Sequence, residues 1–502
     1  MVDYQPFLDH VNQVKDSFLE RVASGTSVFV LTHHDADGLA AGAIISLALK
    51  GQGIPFQTRV ISQISPKYMD DILSGGEEQD RFYIFTDFGS GQLGFLVRSI
   101  SAASMLILDH HEIDAVEDEA TLAGLLHLNP WLFNIDGSVE ISGAGVTYLF
   151  AKALDPGNSI LSPLAVLGAL GDIQDKGEQA GVIGLNKAIV DDAIRSGLLS
   201  ETIDLKVFGR FSRPIHLALS YTTDPYLPGL SGDEGACVKF LQRLKIPLKS
   251  STSGKPRTIS DLTKDEKSML ISAIIENSLK HGMNPNKVKS LIGNVYLLEQ
   301  EDPATNLKDL REFASMLNSC GRQDAGGVGI AIAMGDRGEV FQEGQQLINE
   351  YRRKLSNYIE WVQAQGSIKT RDSLQIIEGG EYIDDAMIGT IVSILMSSKN
   401  ITKDLPIIGW AKLKSDPSVI KISARGFQEL VDKGLNLGAA IKETVKELDI
   451  DTPGGGHAPA AGAEIPEIKL DRFLKDLGKR VAAQLHLNTA GSAGSKKGQS
   501  WF

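Results

Sequence analysis

Cysteine is almost absent. The 502-residue chain has two, Cys237 and Cys320, far apart. That excludes a disulfide framework and argues against a cysteine zinc site. Long apolar runs are missing too, and no stretch approaches the roughly 18 residues of a membrane span. The start, MVDYQPFLDH, lacks the basic residues and apolar core of a secretory signal. These absences predict a cytoplasmic protein without membrane contact. Positive charge is also in deficit: 50 Lys and Arg stand against 63 Asp and Glu, a net charge of −13. Bulk charge alone therefore does not suggest nucleic acid, which favours basic surfaces. Bound metals or local basic patches change that field.

What is present is ordinary for a globular protein: 42% hydrophobic and 23% charged residues. The length exceeds one compact core and predicts two or three domains. Residues 28–31 read as a buried strand and 39–49 as a helix. RFYIFT (81–86) and SMLIL (104–108) are further strands, and 145–154 and 163–170 read as helices. Such alternation predicts a parallel sheet with helices on both faces. Residues 201–310 differ in texture, with turn clusters and one clear helix near 264–281. Residues 340–365 form one long amphipathic helix suited to a rigid connector. The β/α pattern then resumes, with helices at 385–398, 438–448 and 470–485 and a strand at 419–423.

The polar residues at the strand ends carry the chemistry. VFVLTHHDADGLAAG places His33, His34, Asp35 and Asp37 behind an apolar run. Asp87 follows RFYIFT, and Asp109, His110 and His111 follow the next strand. Asp172 closes an apolar helix in LGALGDIQD. Crowded carboxylates repel, and burial penalises their charged forms, so cations belong among them. Asp with His suits Mn²⁺ or Mg²⁺ better than zinc. Asp35 and Asp37 lie two apart on extended backbone, and a turn at Gly38 would send each to a different metal. Asp87, alone at the central strand end, is the choice for a carboxylate bridging two metals.

HHDADG, TDFG, DHH and LGDIQD resemble the four motifs of the DHH phosphoesterase family. PGGGHAPAAG (453–462) resembles the glycine–histidine signature of the DHH-associated C-terminal domain. LNSCGR (317–322) and ISAR (422–425) are similar to phosphate-clamping motifs of RecJ nucleases. Together with the chain length and PGLSGDEGACVKFL, they resemble the archaeal RecJ-like, GINS-associated nuclease branch. The resemblance implies an α/β architecture. A parallel-sheet DHH catalytic domain spans 1–200, and a mostly helical insert for partner or nucleic-acid contacts spans 201–310. The end of the catalytic lobe and the connector helix cover 311–366. A smaller α/β DHH-associated substrate-binding domain covers 367–487, and a flexible tail covers 488–502.

By the same resemblance, His33, Asp35 and Asp87 hold one cation, and Asp37, Asp87, His110 and Asp172 the other. Mn²⁺ is the first expectation and Mg²⁺ the second. Asp109 orients a histidine, while His111 contacts either the metal site or the scissile phosphate. Asn318, Arg322, Ser423, Arg425, Gly455, Gly456 and His457 contact substrate. The implied activity is a two-metal exonuclease on single-stranded nucleic acid in DNA replication or repair. Its direction is 5′→3′ by resemblance, with DNA against RNA left open. The alternatives are a replisome scaffold that binds GINS, with MCM beside it, and an oligoribonuclease or small-nucleotide phosphodiesterase. Two further segments are singled out. Residues 236–260 carry six basic side chains (Lys239, Arg243, Lys245, Lys249, Lys255, Arg257) and no acid, which suits a phosphate track, an acidic partner or a solvated loop face. The tail ends in Gln499-Ser500-Trp501-Phe502, loosely like peptides that bind sliding clamps.

Overall fold

β-Branched and aromatic residues dominate the first apolar run, and it forms strand β1 (Ser27–His33). Four more strands complete a parallel sheet in the order β2-β1-β3-β4-β5: β2 (Phe56–Ile61), β3 (Arg81–Thr86), β4 (Met105–Leu108) and β5 (Leu126–Leu128). Both faces of this sheet are covered, as an all-parallel sheet requires. Val28, Val30, Phe82, Ile84, Leu106 and Leu108 pack on one side, and Tyr83, Phe85, Met105 and Ile107 on the other. The computed structural model describes residues 2–22, 26–64, 69, 81–116, 118–222, 226–281, 283, 285–364, 368–396, 398, 401–450, 452 and 454–486.

Helix α1 (Gln5–Arg21) buries Phe7, Val11, Val14 and Phe18, one stripe at helical spacing. Helix α2 (Ala36–Gly51) is buried almost all round, because its alanines and glycines allow close packing on α3 (Gly143–Leu154) and α4 (Ser162–Gly171). Helix α5 (Gly184–Arg195) completes this layer. The strand order reverses between β1 and β3, so the crevice at their carboxyl ends is the ligand position of such a sheet.

An antiparallel ribbon of β6 (Leu199–Leu205) and β7 (Ile292–Leu298) brackets the next segment. The segment has its own core, in which Ile215, Leu219, Cys237, Phe240, Leu270 and Ile274 meet. Its helices include α6 (Ile215–Tyr221), α7 (Glu234–Arg243) and α8 (Lys264–Lys280). A capping box between Thr263 and Glu266 starts α8. Helices α9 (Leu310–Gly321) and α10 (Gly326–Ala333) return to pack on α2. Helix α11 (Glu339–Ala364) is the long connector.

The chain divides into two compact units, Met1–Tyr351 and Arg352–Phe502, with the division inside α11. The second unit has a six-stranded sheet in the order β12-β13-β11-β10-β9-β8. Its strands are β8 (Ile368–Arg371), β9 (Leu374–Gly380), β10 (Ile407–Lys412), β11 (Val419–Arg425), β12 (Gly454–Gly456) and β13 (Ala460–Pro466). Helix α12 (Asp385–Leu395) packs on β10 and β11. Helix α13 (Leu437–Glu447) lies on β12 and β13, with α14 (Leu470–Gln484) against it. Among the described residues no helix is long and apolar enough to cross a membrane.

Candidate metal centre and substrate contacts

His33 ends β1, and Asp35 caps α2 by accepting from the Gly38 N–H at 3.0 Å. The expected extended backbone with a turn at Gly38 is therefore corrected. The helix starts at Ala36, and Asp37 already lies in its first turn. Gly38 serves close packing instead, since a Cβ there would come within 2.4 Å of the His33 carbonyl oxygen. Asp35 turns back to His33, with Oδ2 3.0 Å from Nδ1. Asp37 is fully buried and accepts from the first N–H groups of α3, Gly143 at 2.7 Å and Ala144 at 2.9 Å.

Asp87 follows β3 with a φ of 65° and is 1% exposed. Its Oδ2 lies 3.5 Å from His33 Nδ1, and its Oδ1 lies 3.2 Å from His110 Nε2. His110 Nε2 is also 3.3 Å from Asp172 Oδ2 and 3.8 Å from Asp37 Oδ2. The His110 Nδ1–H donates to the Gly137 carbonyl at 2.7 Å, so Nε2 is the ring nitrogen that faces the carboxylates. Asp109 is buried behind them. It accepts from the backbone N–H groups of Ser90, His110 and His111 and from His111 Nδ1 at 2.8 Å. The histidine that Asp109 orients is thus His111, whose side chain is half exposed. His34 stacks edge-on against His33.

Ligand atoms of His33, Asp35 and Asp87 lie within 4.8 Å of one another, and so do those of Asp37, Asp87, His110 and Asp172. A third such group is Asp87, His110 and His111. Asp87 belongs to all three. Both of its carboxylate oxygens, and His110 Nε2, are buried without a hydrogen-bond partner. A native interior rarely leaves such atoms unsatisfied, and a water or an ion ordinarily completes them. The donor set is mainly carboxylate oxygen with two or three imidazoles, which fits Mn²⁺ or Mg²⁺.

The electrostatics show the same deficit of positive charge. Burial first, and Asp87 second, push Asp37 up to about 8. Burial and Asp37 raise Asp172 well above the carboxylate range. Against the cost of burial, Asp35 and Asp87 hold His33 charged well above its ordinary value. Asp87 and Asp172 do the same for His110. Asp109 is held low, also against burial, by His111, His110 and the Ser90 N–H.

Sequence reasoning missed the supports beneath these ligands. A Cβ on Gly168 would meet Asp37 Oδ1 at 2.1 Å, and one on Gly143 would meet Asp87 Oδ1 at 2.5 Å. Gln174 donates to the Gly137 carbonyl at 2.9 Å and is held by Asn186 at 2.7 Å. Two signals were available: Ser142 before a small-residue run as a helix cap, and isolated glycines inside apolar helix α4 as marks of close approach.

The substrate candidates fall in both units. In the first, Asn318 Oδ1 accepts from the Ala36 N–H at 3.0 Å, which ties α9 to the start of α2. Gly321 abuts His34, and Arg322 donates to the Tyr351 hydroxyl at 2.6 Å. In the second, Ser423, Gly462 and Gly455 form one row across β11, β13 and β12. Arg425, two residues on, donates from Nε to Ser393 Oγ at 3.0 Å. Gly455 and Gly456 have φ values of 156° and 136° and lead into a tight turn closed between His457 and Ala460. The first N–H groups of α13 donate to the carbonyls of His457 and Ala458 in that turn. In the basic run, Arg257 is engaged by Glu266 at 2.6 and 2.9 Å, and Arg243 lies over Phe240. The tail motif at 499–502 lies outside the described residues.

Residues 207–292 match the DHH-CID domain and residues 372–483 the DHHA1 domain. An uncharacterized protein of Methanocaldococcus jannaschii is 32% identical over 480 residues, 95% of this chain and 99% of its own length. The fold resembles CDC45 from Entamoeba histolytica with a TM-score of 0.64 at 14% identity, covering 96% of this chain and 100% of that one. It resembles an exonuclease RecJ bound to manganese with a TM-score of 0.54 at 15% identity, covering 96% and 97%. The chain therefore belongs to the DHH family, and its fold is like those of RecJ and CDC45.

Proposed function

We propose that this chain is a metal-dependent phosphodiesterase that degrades single-stranded nucleic acid from an end, 5′→3′, in replication or repair. The observation that carries this reading is the Asp87 carboxylate. It is buried, lacks hydrogen bonds on both oxygens and is shared by the two ligand groups. His33, Asp35 and Asp87 would hold one cation, and Asp37, Asp87, His110 and Asp172 the other. Two divalent cations at such a site supply an activated water and stabilise charge on the attacking and leaving oxygens. The protein's part is positioning. Gly137 fixes the His110 tautomer, and the start of α3 holds Asp37. Asp109 accepts from His111 Nδ1, and the half-exposed ring would donate to a substrate phosphate from its other nitrogen. Arg322, Arg425 and His457 would bind further phosphates of the strand.

A second reading is a scaffold in which residues 201–310 dock a GINS-type complex. The likeness to CDC45 over the whole chain favours it. The two readings are compatible, and the retained acids favour activity. The experiment is digestion of end-labelled single-stranded DNA and RNA in Mn²⁺, comparing 5′-blocked with 3′-blocked strands. Nucleotide release that stops on 5′ blocking supports the proposal. Intact strands at saturating Mn²⁺ would leave only the scaffold reading.

A further inference from the structure

Helix α4 ends in a Schellman turn. The Ile173 N–H donates to the Leu170 carbonyl at 3.2 Å and the Gln174 N–H to the Ala169 carbonyl at 2.9 Å. The corner residue, Ile173, has a φ of 56°. Glycine ordinarily takes that position, because a Cβ crowds the backbone in the left-handed region and β-branching worsens the clash. Among the described non-glycine residues with positive φ, Ile173 alone is β-branched. Nor does a core offset this strain, since Ile173 is 52% exposed. An isoleucine thus stands where local conformation disfavours it and burial returns little.

Its two neighbours fix where it stands. Asp172, before it, lies 3.3 Å from His110 Nε2 and is 23% exposed, so the ligand cluster opens to solvent at this corner. Gln174, after it, is buried and donates to the same Gly137 carbonyl that accepts from His110. Both flanks of Ile173 are therefore clamped to the metal-ligand cluster, while its apolar side chain is exposed on the surface beside it. Strain that persists at such a place is a pointer to function.

We propose that Ile173 is a substrate-positioning residue whose exposed carbons pack on the sugar or base flanking the scissile phosphate of a single strand. This rests on the nuclease reading given above. Cations recognise any phosphate. An apolar contact one residue from a ligand adds an attraction that only the nucleoside part of a substrate satisfies, and it sets that part at a fixed distance from the cluster.

The test is Ile173→Gly and Ile173→Leu in the full chain, with steady-state cleavage of a labelled oligothymidylate in Mn²⁺, a Mn²⁺ titration and a thermal melt. Ile173→Gly removes the side chain and the strain together. It should raise KM about tenfold, the scale expected when one partly covered aliphatic side chain is removed. kcat should stay within about twofold and the Mn²⁺ midpoint should not move, the pattern of weakened ground-state binding. The melting temperature should rise, since glycine suits this corner. Ile173→Leu, apolar without β-branching, should keep KM within about twofold of the parent. An unchanged KM in Ile173→Gly would overturn the assignment while the nuclease reading stands. So would a KM increase matched by weaker Mn²⁺ binding, which marks a displaced Asp172. A parent chain that neither binds nor cleaves the strand would overturn the nuclease reading, and this proposal with it.

Discussion

Asp37 is the residue at which burial and charge conflict most. It is fully buried, faces Asp87 and Asp172, and holds its proton up to about 8 without a cation. In the unfolded chain the same carboxyl ionises near 4. Between those values the folded, metal-free chain binds a proton that the unfolded chain has released. Its stability therefore falls as pH rises from about 4 to about 8. His33 and His110, both raised, add destabilisation of the same sign as pH climbs above the ordinary histidine value. A cation must displace these protons, so Mn²⁺ should bind more tightly as pH increases. Calorimetry at pH 7 in two buffers of different ionisation enthalpy should register release of about one proton or more per chain on Mn²⁺ binding. Binding heats that do not change with the buffer would show that the ligands are already deprotonated.

At the scale of elements, β1, β3 and β4 were legible because each is a mainly apolar run with an acid one or two residues beyond its end. The order of those acids along the chain disclosed the cluster. Strand β2, FQTRVI, was not legible, because polar residues interrupt its apolar ones, and β5 is only three residues long. The start of α2 was misread because aspartate and glycine also belong to turns. What decides for the helix is the Asp35 side chain on the Gly38 N–H, a local bond with the same residue signature. The close approaches at glycine were hidden for another reason. They depend on helices α2, α3 and α4 packing together, and Asp37 and Gly143 lie 106 residues apart in sequence. They carry a sharp consequence. Gly168→Ala drives a methyl group into Asp37 Oδ1 and Ala144, so α4 must shift. Overpacking of this kind costs about 1–3 kcal/mol. We expect Mn²⁺ affinity to drop about tenfold or more with helical circular dichroism retained. Parent-like affinity would mean that α4 yields without disturbing the ligands.

At the scale of the whole molecule, a chain of net charge −13 must still hold a polyanion if it degrades single strands. Local cations can do this, and the basic run in the inserted segment is the candidate. Its composition was legible, but Arg257 was overcounted, because its ion pair with Glu266 on α8 appears only once the segment folds. Changing Lys239, Lys245, Lys249 and Lys255 to alanine should flatten the salt dependence of single-strand binding, by about 0.7 in log–log slope for every phosphate that these lysines neutralise. An unchanged slope would assign the run to a protein partner or to solvent. The candidate metal centre is also a property of the whole first unit, its residues drawn from three strand ends and one helix end. If Asp87 bridges two cations as proposed, electron paramagnetic resonance of the metal-free chain titrated with Mn²⁺ reads that bridge directly. With two equivalents bound, the chain should give the spectrum of a magnetically coupled Mn²⁺ pair, and Asp87→Ala should give only isolated ions. Isolated ions in the parent chain at two equivalents, or coupling that survives Asp87→Ala, would contradict the account.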